Sequence, residues 1–173
     1  MAAGFRGLLD LCGVWLARPG SALSALHLRR QIRDAIQALL TGLTTTAARI
    51  YVSRPEEHPM QADELPGLRL STPNETIETL TMGVGRIRER IMHVQVELVV
   101  KSTGTPAATV DAMRKEIEIA IDADPTLGGL VGWIELRSMS VEQDAQADAP
   151  VAMGTALFEA LYHTAAGAPH QRA

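Results

Sequence analysis

The sequence predicts an α+β fold: two layers, a mostly antiparallel sheet with two helices on one face. Three observations point there. Residues 28–43 carry apolar side chains at helical spacing. Residues 90–100 alternate strictly between apolar and mixed positions. A second helical stretch follows, bounded by Thr105-Pro106 and Asp124-Pro125, and two further strand-like runs come after it.

The first helix is expected over residues 25–41. At 100° per residue, Leu28, Ile32, Ala35, Ile36, Leu39 and Leu43 fall within an arc of about 100°. Arg30, Arg33, Asp34 and Gln37 face the other way, and Gly42 is placed to end the helix as its C′ residue. Arg49 to Ser53 is rich in β-formers and reads as a strand. The loop from Arg54 to Pro66 holds Glu56, Glu57, Asp63 and Glu64, and loops of that length are usually functional or mobile. Pro66-Gly67 turns the chain into a strand from Leu68 to Thr72. Residues 73–89 read as a long, poorly packed hairpin arm, loosened at Gly83 and Gly85.

From Arg90 to Val100, Met92, Val94, Val96, Leu98 and Val100 share one face, the period of a strand with one buried side. Thr105 is placed as the N-cap of the second helix, with proline at its first position. Val110, Met113, Ile117, Ala120 and Ile121 form its stripe, and Ile119 points away from it. The residue before Pro125 avoids helical geometry, which ends the helix. Strands are expected over 131–141 and 151–164, joined by an acidic, solvated linker over 142–150. The strand-helix-strand step over 90–141 is the one place expected to hold a crossover.

Three segments result: an N-terminal extension (1–25), a folded domain (26–164) and a tail (165–173) expected to fray. The extension resembles a signal peptide only faintly, because Asp10 breaks the apolar run and no small-x-small site follows. It reads as a loosely ordered segment or a docking helix, or as lying upstream of a true start near Leu26.

The chain of 173 residues suits one domain. Its single cysteine, Cys12, excludes an intrachain disulfide. A net charge of −4 argues against general nucleic-acid binding, and so few aromatics make no base-stacking platform. No run reaches the roughly 18–20 apolar residues of a membrane span.

No histidine pair has zinc-ligand spacing. Glu89 and His93 fall four apart on a strand, about 13 Å from one another. Asp122-x-Asp124 reads as a turn before Pro125 rather than a hard-metal site. Gly83-Val84-Gly85 lacks the remaining residues of a phosphate loop. No serine sits in a G-x-S-x-G context. The Arg86–Arg90 run reads as a solvated strand entrance, or else as a surface for acidic groups or phosphates. These readings give no catalytic, cofactor or metal residues, and the expectation is a protein that is not an enzyme.

Several segments together resemble the tail terminator family of long-tailed bacteriophages, the minor tail protein U group. They are Leu28-Arg29-Arg30-Gln31-Ile32-Arg33-Asp34-Ala35-Ile36, Arg49-Ile50-Tyr51, Glu64-Leu65-Pro66 and Val96 to Lys101, with Asp124 to Leu130 and Leu157 to Thr164 the most specific. The resemblance spans roughly residues 26–166, and residues 1–25 have no counterpart in it. It implies a ring, typically a homo-hexamer, on the head-proximal end of the tail tube. The ring stops tube polymerisation and docks the head connector. DNA would pass through its lumen without specific binding. It also implies a virion location, assembly in the host cytoplasm, and no cofactor or membrane partner. The expected contacts are heterologous and close by rotation, each burying on the order of 1,200–2,000 Å². Their expected contributors are Arg54, Glu56, Glu57, Asp63 and Glu64 of the long loop, Arg86 and Arg88 of the arm, and Ile119. A head-closure or other neck component is the alternative within a virion. A small ligand-binding or enzymatic α+β domain is the alternative outside one.

Overall fold

The computed structural model describes residues 26–55, 58–83, 85–101, 106–144 and 151–173. The readings for the extension 1–25 with Cys12, for Glu56 and Glu57, for the Thr105 cap and for linker residues 145–150 lie outside these.

The predicted α+β class is what the chain adopts. In order it forms α1 (Leu28–Leu40), β1 (Ile50–Val52), a short 3-10 turn (Ala62–Glu64), β2 (Gly67–Ser71), β3 (Glu75–Thr79), β4 (Ile87–Lys101), α2 (Pro106–Asp122), β5 (Trp133–Asp144), β6 (Val151–Ala165) and β7 (Ala168–Arg172). The sheet runs β1-β2-β4-β6-β5, with β3 added to β4 and β7 to β6.

The long strands organise everything else. β4 pairs with β6 along its full length, from Ile87 opposite Ala165 to Lys101 opposite Val151. Its other edge is shared, β3 taking the first part and β2 the second. The alternation read from the sequence holds: Met92, Val94, Val96, Leu98 and Val100 are all buried. Opposite them stand Ala160, Phe158, Ala156, Gly154 and Ala152. The small residues make room for α2. A Cβ on Gly154 would lie 3.1 Å from Val110 Cγ1 and 3.5 Å from Leu98 Cδ1.

Both helices bury their stripes in this one core. Leu28, Ile32 and Ile36 are buried, and Leu40 is the fourth member of the α1 stripe; Leu39 is only partly covered. Val110, Met113, Ile117 and Ile121 are buried on α2. Gly42 follows the helix with φ of 90°, the left-handed geometry of a C′ glycine. The segment after α1 is pinned to α2, because Glu116 accepts from the Thr45 amide at 3.1 Å and its hydroxyl at 2.8 Å.

Four expectations need correction. First, the tail does not fray: β7 pairs with β6, and Gln31 Nε2 on α1 donates to the His170 carbonyl at 3.1 Å. Gly167, with φ of 88°, permits the turn that brings it back. Second, a second crossover exists. β1 and β2 are parallel, and such a pair needs a connection of roughly a dozen residues. The length of the 54–66 loop therefore has a topological reason. Third, β5 continues to Asp144, so the acidic linker begins as strand paired with β6. Fourth, Arg90 is not at a solvated strand entrance. It is 6% exposed and faces Tyr162 across the sheet.

Candidate functional site

The residues singled out from sequence fall into three places, and no hydrogen bond or ion pair among the described residues joins them. In the β1–β2 crossover, the Arg54 guanidinium donates to both carboxylate oxygens of Glu64 at 2.8 Å and lies 5.1 Å from the Tyr51 ring. Glu64 also accepts from the Gln61 amide at 2.7 Å, closing a capping box around the 3-10 turn. The Arg54 guanidinium, and after it the Gln61 amide, hold the Glu64 carboxyl below the usual carboxylate range, and Glu64 holds the Arg54 pKa above its ordinary value. Asp63 beside them is exposed. Arg54 and Glu64 therefore brace the crossover.

The second place is the β3–β4 arm. Glu75 to Thr79 pairs in register with Met92 to Arg88, as a hairpin must. Arg86 is exposed and Arg88 half-buried beside the turn. The arm also carries Ile77 at 48% exposure, Leu80 at 53% and Met82 at 96%. The exposure of these residues is not marked in the sequence, because the weak alternation of residues 75–80 does not tell which side is solvated. The third place is the outer face of α2. Ile119 is 60% exposed in a shallow groove lined by Asp111, Arg114, Lys115, Glu118 and Asp122.

Two further constellations were not legible in advance. At the base of the arm, Arg90 Nη1 lies 3.1 Å from Glu75 Oε2, and Arg90 Nε donates to Thr164 Oγ1 at 3.0 Å. The Tyr162 hydroxyl donates to the other Glu75 oxygen. Burial, and then the bond to Glu75, push the Tyr162 pKa well above its ordinary value. This cluster fastens β3 to β4 and β6. Its members come from three strands, so no local pattern announces it.

The second constellation is a cleft of about 630 Å³ between the start of α1 and strands β2 and β4. Its walls include Arg29, Arg30, Arg33, Arg54 and Arg69, with Glu75 and Glu97. Arg69 Nε donates to Glu97 at 2.7 Å, and Gln95 Nε2 donates to the other Glu97 oxygen at 2.9 Å. The only hint in the sequence was the Arg29-Arg30 pair.

Among the described residues no group of three or more His, Cys, Asp or Glu could hold a metal ion. Asp124 caps its own turn, accepting from the Thr126 amide and hydroxyl and, at 2.7 Å, from the Gly128 amide. His163 Nε2 lies 3.3 Å from Glu89 across the β4–β6 pair. No described helix is long and apolar enough to cross a membrane.

No protein-family model matches the chain. No curated protein matches it. Among solved structures, a chain in the virion of a native gene transfer agent particle is similar, with 18% identity and a TM-score of 0.42. The match covers 80% of this chain and 92% of that one. A likeness of this degree carries no argument about function.

Proposed function

We propose that the chain is a tail terminator, a non-enzymatic structural protein. It forms a ring, caps the head-proximal end of a phage tail tube, stops tube growth and offers a docking surface to the head connector. The resemblance across residues 26–166 motivates the reading. The observation that carries it is the arm. A subunit that caps a polymer needs apolar contact surface outside its own core, and Ile77, Leu80 and Met82 supply it on one hairpin. The Glu75–Arg90–Tyr162 cluster fixes the base of that hairpin, so the arm is held ready rather than ordered on contact. Ile119 on α2 gives each subunit another surface, as a heterologous ring contact requires. In this reading the subunits form a homo-hexamer, with the tail tube protein on one axial face and the connector on the other. DNA passes through the lumen.

The test is the mass of the purified protein alone and with tail tubes, followed by electron microscopy for rings. Closed rings on tube ends are expected. A persistent monomer that leaves the tubes uncapped rules the reading out. Rings that bind the connector but not the tube would favour a head-closure role.

A further inference from the structure

Among the described residues, the cleft beside α1 has more arginines than carboxylates in its walls. Each carboxylate in its walls is already engaged. Glu97 is taken by Arg69 and Gln95, and Glu75 by Arg90 and Tyr162. Arg54 at the rim is taken by Glu64. Arg30 reaches Asp34 only at 3.6 Å, on the exposed side.

Arg29 and Arg33 have no carboxylate partner among the described residues. Arg29 Nη2 donates to the Thr72 carbonyl, and Arg33 Nη1 reaches Ser53 Oγ at 3.4 Å. The Nε–H of each is buried with no acceptor among the described residues, so the Nη groups are the donors that can face the cleft. A buried, unpaired donor on a charged group is costly.

The position within the helix sharpens the point. Arg29 and Arg30 lie in the first turn of α1, where the helix dipole already presents partial positive charge, and no acidic residue is present in that turn. Cations there are disfavoured unless an anion joins them. Arg29 and Arg33 are four apart, so both project from one face toward the same cleft. Two guanidinium groups lining one cleft suit a doubly charged tetrahedral oxyanion better than a single carboxylate.

We propose that this cleft binds a phosphate group through Arg29 and Arg33 of α1. The proposal is independent of the capping role. The phosphate belongs either to a small phosphorylated molecule or to a nucleic-acid backbone.

The experiment titrates the full chain with tripolyphosphate by calorimetry, and with a short labelled DNA duplex by fluorescence anisotropy. Ionic strength is held constant with sodium chloride. Saturable binding in at least one arm is expected. Arg29→Gln and Arg33→Gln should each weaken it at least about tenfold, the scale of a lost charge-assisted hydrogen bond. Arg114→Gln, on the outer face of α2, should leave it unchanged. Melting curves of each variant separate loss of the site from loss of the fold, and Arg33→Gln decides alone if Arg29→Gln does not fold. Binding of tripolyphosphate without the duplex assigns a small phosphorylated ligand. Binding of the duplex that is lost in the same variants assigns a backbone phosphate. No binding in either arm, or binding that survives the double substitution, overturns the proposal.

Discussion

Replacing Arg90 with methionine probes how the arm is anchored. The Arg90 side chain is 7% exposed and its partner Glu75 is 11% exposed, so the pair is largely shut off from water. Methionine keeps much of the stem's volume but removes the guanidinium. Glu75 is then left charged and buried, with the Tyr162 hydroxyl as its remaining donor, and Thr164 loses its partner. Breaking a buried pair on one side costs about 3–5 kcal/mol. Adding Glu75→Gln should recover part of that loss, because the stranded charge goes too, with a coupling of about 0.5–3 kcal/mol. Urea denaturation of the two single variants and the double variant gives all the terms. Hydrogen exchange should show Glu75–Thr79 released in Arg90→Met, since among the described residues β3 pairs with β4 alone and the lost ion pair joins these two strands. A cost below about 1 kcal/mol for Arg90→Met, or simple additivity with Glu75→Gln, would refute the claim that this pair is buried and coupled.

Other consequences can be checked on the same protein. Ile117→Ala in the buried stripe of α2 should cost about 2–5 kcal/mol by denaturant unfolding. Gly67→Ala should be far worse tolerated than Gly154→Ala by thermal melting. At Gly67 the new Cβ would lie 2.5 Å from the backbone carbonyl of Glu64, whereas at Gly154 the nearest atom is the Val110 methyl at 3.1 Å. Tyr162, with its pKa raised by burial and Glu75, contributes stability that is full below the ordinary tyrosine pKa of about 10. That contribution is lost as pH rises from there toward the folded value, so wild type should lose more stability over that window than Tyr162→Phe does. Replacing Ile77, Leu80 and Met82 by serine should leave the melting temperature nearly unchanged while abolishing rings, as read by native mass spectrometry.

Periodic burial was legible in the sequence. Met92 to Val100 and the α2 stripe were found because a single face of a strand or helix repeats locally. Asp124 was recognised as a turn residue for the same reason: its partners lie within four positions. Pairing was harder to read. Parallel β1 and β2 are indistinguishable by pattern from an antiparallel pair, and only the long connection distinguishes them. The tail was expected to fray as a chain terminus, yet it lies on the β6 edge with α1 beside it. The cleft and the arm-base cluster were invisible because Arg29 meets Thr72, and Arg90 meets Glu75 and Thr164, only after the chain has folded. Among the residues chosen as candidate contacts, Arg54 and Glu64 turned out to brace their own loop. The exposed apolar residues beside Arg86 and Arg88 carry the stronger case for an interface.

The most direct test of the capping role is electron microscopy of particles made by a virus lacking this chain. The account predicts abnormally long tails that fail to join heads, and restoration of normal length when the intact chain is supplied. Normal-length tails attached to heads in its absence would contradict it.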